Sequence, residues 1–195
     1  MSGINVFENA LSDLSSVLRH QNVPYMVIGG LANAIWGHPR ATLDIDVTVW
    51  VIDDQIKKLL SILEEIYVFM VEKPIDFISK TRVLPIKNNE NLRIDIIFGA
   101  LPFEKDALDR AVEVEIGDTS IKFCTAEDLI LLKIISERSK DLEDVRSLLR
   151  YQRDNLDYTY LEPRIMELSD LLDRPGISQK WEKWKEDENL KDSSF

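Results

Sequence analysis

The sequence predicts an α+β fold, a sheet flanked by helices with a helical extension at its C-terminal end, and three observations carry that expectation. Leu43, Ile45, Val47, Val49 and Val51 alternate with Asp44, Asp46 and Thr48, the period-2 pattern of a strand with one buried face. Leu92, Ile94, Ile96 and Phe98 alternate in the same way around Arg93 and Asp95. From Thr125 onward the apolar spacing turns helical and stays so. With 195 residues and 45% hydrophobic content, the chain can bury one substantial core, which the reading divides into a core over 1–124 and a helical region over 125–195 packed on it.

Each element follows from local pattern. Val6, Phe7, Ala10, Leu11, Leu14, Val17 and Leu18 predict an amphipathic helix from about Asn5 to His20, ended by Asn22 and Pro24. Tyr25–Ile28 reads as a short strand, Gly29-Gly30 as a tight turn, and Leu31–Trp36 as a short helix stopped by Gly37-His38-Pro39. After the Asp44/Asp46 strand, Asp53-Asp54 can cap a helix over Gln55–Glu65. Tyr67–Val71 and Thr81–Lys87 read as strands joined by a connecting segment led by Pro74. The Asp95 strand is followed by a helix near Glu104–Arg110 and by two strands whose Gly117-Asp118 link predicts a hairpin. Thr125-Ala126-Glu127-Asp128 resembles a capping box that opens a helix through Glu137. Helices then follow from Ser139 and from Tyr158, and a last short helix carries Trp181 and Trp184, with fraying expected after about Asn189.

Composition excludes several functions. A formal charge of −11 and a pI near 4.7 argue against a surface that coats nucleic acid, and against extended duplex DNA as a partner. The single cysteine, Cys124, excludes an internal disulfide framework, and two histidines, His20 and His38, leave no zinc cluster. No stretch approaches the apolar length of a membrane span, so no membrane partner and a cytoplasmic location are expected.

The candidate chemistry centres on acidic residues. Asp44, Asp46 and Thr42 leave one face of their strand, with neighbouring same-face Cα atoms about 6–7 Å apart. Carboxylates so close repel unless something neutralises them, and a divalent cation does so most simply. If the Asp95 strand is adjacent, three carboxylates converge in the hard-oxygen set that Mg2+ or Mn2+ prefers. Gly29 and Gly30 place backbone N–H groups where a phosphate can bind at a helix N-terminus, although two glycines alone are more often just a turn. Neither a Walker loop nor a dinucleotide fingerprint is present. Lys133 lies among Leu129, Ile130, Leu131, Leu132, Ile134 and Ile135, too apolar a setting for an ordinary solvated lysine, though a lone helical lysine is usually a surface charge. Arg138, Lys140, Arg146, Arg150 and Arg153 form a cationic strip on consecutive helices, read either as pairing with Glu143 and Asp154 or as a track for a few phosphates.

Taken together, Gly29-Gly30, Arg40-Ala41-Thr42-Leu43-Asp44-Ile45-Asp46, Asp95 in an apolar strand, Lys133 and Arg138-Ser139-Lys140-Asp141 resemble the nucleotidyltransferase superfamily with the DNA polymerase β-like fold. Within it they lie nearest the minimal AbiEii-type toxin enzymes. The resemblance covers residues from about 24 to 150 and implies a mixed sheet flanked by helices. It implies transfer of an NMP from an NTP such as ATP to an acceptor hydroxyl, with release of pyrophosphate. It makes Asp44, Asp46 and Asp95 metal ligands, Asp95 completing the nucleophile side, and Gly29, Gly30 and Lys133 phosphate contacts, with Arg40, Thr42 and Asp141 as supporting nucleotide-site residues. Many family members carry serine where this chain has Gly30. The acceptor implied is an RNA 3′ end, tRNA-like, or a protein hydroxyl, and a toxin role would bring an antitoxin protein as partner. A catalytically silent nucleotide- or metal-binding regulator and a metal-dependent phosphohydrolase are the other classes that the residues allow.

Overall fold

A computed structural model of the chain describes residues 3–192. They form two compact units, one running up to Leu31 and resuming over Ala41–Cys124, the other made of Ala32–Arg40 and the residues from Thr125 onward. The first contains α1 (Gly3–His20), β1 (Tyr25–Ile28), the start of α2 (Gly29–Trp36), β2 (Asp44–Val49), α3 (Asp53–Glu64), β3 (Val68–Phe69), α4 (Pro74–Thr81), β4 (Val83–Lys87), β5 (Arg93–Phe98), α5 (Pro102–Arg110), β6 (Val112–Ile116) and β7 (Thr119–Phe123). The second contains the rest of α2 with α6 (Ala126–Ile134), α7 (Ser139–Gln152), α8 (Tyr158–Leu171) and α9 (Gly176–Asp192).

The strands of the first unit make one seven-stranded sheet in the order β3-β4-β5-β2-β1-β7-β6. It is mixed: β2 runs parallel to β5 and β1 parallel to β7, while the other neighbours are antiparallel. Alternation in the sequence becomes alternation of faces. Ile45, Val47 and Val49 on β2 and Ile94, Ile96 and Phe98 on β5 are all buried, as are Leu84 and Ile86 on β4. Each such side chain contributes about 1.5–3 kcal/mol by leaving water. The opposite face of β2 and β5 carries Asp44, Asp46, Arg93 and Asp95. Helix α1 packs on β7, with the Ser12 and Thr119 hydroxyls 3.0 Å apart. Cys124, at the end of β7, is fully buried, and its N–H donates to the Val27 carbonyl at 3.0 Å.

Several elements differ from the sequence expectation for identifiable reasons. Leu43 precedes β2 and is 85% exposed, so the buried alternation starts at Ile45. The segment after Pro74 is a helix, α4, with proline in its first turn, where the missing N–H costs nothing. Its periodicity is hidden because Ile75 and Phe77 are exposed and Ile78 is its buried residue. Arg82 ends α4 in a left-handed conformation, φ 60°, and its guanidinium donates to the Phe98 and Gly99 carbonyls at 3.0 Å each. No separate turn follows β1, because α2 begins at Gly29 itself. Ile52, not an aspartate, occupies the N-cap position of α3.

In the second unit, Thr125 accepts the Asp128 N–H at 3.2 Å, and α6 stops at Ile134 rather than Glu137. The last helix is 17 residues long, and its Trp181 is 1% exposed with its ring against Tyr158. That helix reaches Asp192, beyond the point near Asn189 after which the sequence predicts fraying; residues 193–195 lie outside the described ones. No helix among the described residues is long and apolar enough to cross a membrane.

The contrast between the two faces predicts a stability difference. Ile96→Ala should cost about 2–5 kcal/mol, whereas Leu43→Ala should stay within about 0.5 kcal/mol, as read from urea unfolding of the purified variants.

Candidate active site

The site is built by the register of two parallel strands. Asp46 lies opposite Asp95 and Asp44 opposite Arg93, so residues about 50 positions apart in the chain come to share one face of the sheet. Asp44, Asp46 and Asp95 each offer a carboxylate oxygen, and these atoms lie within 4.8 Å of one another. All three residues are half-buried. Three carboxylates in so small a space repel one another strongly. An all-oxygen donor set of this kind fits Mg2+ or Mn2+ and does not suit a soft metal.

Two devices within the unit already ease that repulsion. Arg93, two residues before Asp95 on the same face, donates Nε to Asp95 Oδ1 and Nη2 to Asp95 Oδ2, both at 2.9 Å. The guanidinium is thereby raised above its ordinary pKa, chiefly by the hydrogen bond to Asp95. The Thr42 hydroxyl donates to Asp44 Oδ1 at 3.0 Å. The sequence pattern places Arg93 beside Asp95 but assigns it no part; the signal was its i, i+2 spacing on the polar face.

The glycine pair is shaped around these carboxylates. Ile28 pairs with Asp46 across β1 and β2, so the next residue, Gly29, sits directly over the Asp46 side chain. A Cβ at Gly29 would overlap Asp46 Oδ2 and lie 2.8 Å from its Cγ, and φ is +67°. Both the space and the backbone conformation therefore require glycine there. A Cβ at Gly30 would lie 2.6 Å from Thr42 Oγ1. Thr42 thus fills the space that a serine at position 30 would need. Gly29 and Gly30 are the first residues of α2, the helix end whose N–H groups lack intrahelical partners.

The remaining sequence candidates, Arg40, Lys133 and Asp141, lie in the second unit. The structure joins them around a residue that the sequence reading missed, Asp144. Lys133 is 6% exposed, and its Nζ donates to Asp141 Oδ1 at 3.0 Å and Asp144 Oδ2 at 2.8 Å. Arg40 donates Nε and Nη2 to the Asp144 carboxylate, the shorter contact at 2.8 Å. Ser136 and Arg138 complete the shell around Asp141 at 2.7 and 2.6 Å. Burial pushes the Asp141 carboxyl up, but the hydrogen bonds from Ser136, Lys133 and Arg138 outweigh it and hold it below the usual carboxylate range. Asp144 follows the same rule, with Arg40 and Lys133 outweighing burial. Asp144 could have been suspected from its i, i+3 spacing to Asp141, which puts both carboxylates on one face of α7.

Comparisons with known proteins bear on the fold and the family. A family model described as nucleotidyltransferase of unknown function (DUF6036) matches residues 5–190. No match is found among curated proteins. The crystal structure of ANT(2")-Ia in complex with adenylyl-2"-tobramycin aligns with a TM-score of 0.56 and 14% identity, over 90% of this chain and 99% of that one. An antigenic nucleotidyltransferase-like protein from Paracoccidioides brasiliensis aligns with a TM-score of 0.54 and 15% identity, over 89% and 90% of the two chains. At these identities the likeness is one of fold.

The buried ion cluster of the second unit has a defined pH signature. Because the folded-state pKa values of Asp141 and Asp144 are depressed, their contribution to stability is present above the unfolded value of about 3.9. It is lost as pH falls through the lower folded values. Asp144→Asn should therefore cost about 3–5 kcal/mol at neutral pH, as expected for removing one partner of a buried pair. The gap between the two proteins should close as pH falls below about 4. Urea unfolding of both proteins across pH 3–7, a range chosen to span that value of about 3.9, checks the sign and the window.

Proposed function

The chain belongs to the family of nucleotidyltransferases of unknown function (DUF6036), and from that premise we propose that it transfers an NMP, with ATP a candidate donor, to an acceptor hydroxyl and releases pyrophosphate. The observation that carries this reading is the carboxylate triad, with oxygens within 4.8 Å on adjacent parallel strands beside the glycine pair that opens α2. Asp44, Asp46 and Asp95 are the residues that would hold Mg2+ or Mn2+. Divalent cations there supply charge neutralisation and Lewis acidity toward phosphate oxygens.

The chain's own groups do the rest. Gly29 and Gly30 would offer backbone N–H donors to the donor's phosphates. The Asp95 carboxylate would take the proton of the acceptor hydroxyl as its oxygen bonds to the α-phosphorus and the bond to the β-phosphate oxygen breaks, so that pyrophosphate leaves. Asp95 accepts two N–H bonds from Arg93, so taking up that proton means exchanging a guanidinium partner. Little covalent chemistry is asked of the protein; positioning and charge stabilisation carry the rate.

The finer biology rests on the resemblance. An RNA 3′ end of the tRNA type is the acceptor favoured by the cationic residues of α7, and a protein hydroxyl is the acceptor that an acidic surface accommodates most easily. A toxin of the AbiEii type, neutralised by an antitoxin protein, is the role proposed for such an activity. Labelled NTP incubated with the protein and either total RNA or total protein separates the acceptors. Free nucleotide with phosphate would indicate hydrolysis, and tight NTP binding without turnover a regulator.

Substitutions test the assignments. Asp44→Asn and Asp46→Asn should each abolish transfer in Mg2+ while the metal-free protein melts at the same or a higher temperature, since each removes a like-charge repulsion. Asp95→Asn should still bind NTP yet lose transfer; an equal loss of binding and rate would reassign that residue. The triphosphate contact implied for Lys133 is likewise a proposal. In Lys133→Ala a raised KM for NTP supports it, whereas a lower Tm with KM unchanged assigns the lysine to its pairs with Asp141 and Asp144.

A further inference from the structure

The second unit contains a pocket that shares no residue with the aspartate triad, the glycine pair or the Asp141–Asp144 cluster. One face of α7 supplies Glu143, Arg146, Ser147, Arg150 and Tyr151, the i, i+3, i+4, i+7, i+8 positions that share a helix face, and His38 closes it. The pocket, open to solvent, has a volume of about 290 Å³. This lies near the lower bound, about 300 Å³, of small-molecule sites, more room than a lone anion needs.

The lining is built rather than incidental. The His38 N–H donates to Ser147 Oγ at 2.8 Å, its carbonyl accepts from Asn33 Nδ2 at 3.0 Å, and its ring lies 6.2 Å from that of Tyr151. Arg146 Nε is buried and has no hydrogen-bond partner among the described residues. Arg146 thus lines the pocket with a guanidinium whose hydrogen-bonding capacity the described residues do not exhaust. Arg150 adds a second guanidinium, Ser147 keeps its hydroxyl proton to donate, and Tyr151 presents a ring that is 54% exposed. Against these donors stands one carboxylate, Glu143, which leaves room for a ligand of modest negative charge and opposes a polyphosphate.

We propose that this pocket binds a nucleoside monophosphate. Its phosphate is taken by Arg146 and Arg150 in the planar, charge-assisted geometry that guanidinium favours, and its base lies against Tyr151. Glu143 is positioned to accept from a ribose hydroxyl or a base amino group. The site is additional to the aspartate triad and shares no residue with it, so it does not depend on the transfer reaction.

Calorimetric titration of the full chain with AMP in EDTA, without NTP, tests this. Chelation keeps the aspartates from contributing a metal-bridged phosphate, so failure here leaves the transfer activity standing, and failure of transfer leaves this result standing. Expected are saturable AMP binding and a dissociation constant raised at least about tenfold in Arg146→Gln and in the exposed Arg150→Gln, the loss of one charge-assisted contact being worth about a decade. Tyr151→Ala should weaken AMP while leaving ribose 5-phosphate, which has no base, unaffected. Unchanged near-ultraviolet circular dichroism certifies that each variant is folded. Three results would each overturn the proposal: no AMP binding by the wild-type chain, AMP binding indifferent to both arginine substitutions, or inorganic phosphate binding as tightly as AMP.

Discussion

The parallel register of β2 on β5 is the constraint from which the site follows. Strand side chains alternate between faces, so a slip of one residue would carry Asp95 into the core and bring Ile94 or Ile96 to the carboxylate face. The same pairing that buries Ile45, Val47, Ile94 and Ile96 therefore holds Asp46 opposite Asp95. Hydrophobic burial on one face holds in place an electrostatically unfavourable arrangement on the other. The sheet holds three neighbouring carboxylates on one face because a one-residue slip would expose the apolar side chains that the other face buries.

How much of this was legible in the sequence depended on whether a residue's partner lay within a few positions of it. Alternation around Asp44, Asp46 and Asp95 gave the strands and their polar face, since a two-residue period is local. Adjacency of β2 and β5 was only a conditional expectation, because pairing between segments about 50 residues apart leaves no mark in either one. The helix α4 was unreadable because it buries little: with Ile75 and Phe77 exposed, its pattern has no apolar stripe. The glycine pair read as a turn, yet Gly29 takes the positive φ as the first residue of α2, with no residue between strand and helix. For Lys133 the apolar flanks correctly implied burial. Its carboxylate partners lie 8 and 11 positions on, in another helix, beyond the reach of any helical spacing rule.

A chain with 35 acidic and 24 basic residues commits its cations with economy. Arg93 holds Asp95, Arg40 and Lys133 hold Asp144, and Arg138 holds Asp141. Each of these guanidinium or ammonium groups meets a carboxylate that either forms the triad or lies buried, where an unpaired charge would be costly. The net charge of −11 thus says little about any one site. What matters locally is which carboxylates are matched by a cation and which are left for a ligand to match.

The burial of Cys124 has a consequence for how the sheet's motions can be observed. As the chain's one thiol, fully buried at the end of β7 with its amide held by Val27, it is shielded from alkylating reagents while β7 stays paired with β1, since only a solvent-accessible thiolate reacts readily. Its modification rate is then a clock for local opening beside the central strands, read at a single native atom and with no label to install. Ligands that engage the neighbouring glycine pair would slow that clock by the factor with which they favour the closed sheet, turning an unreactive cysteine into a reporter of occupancy.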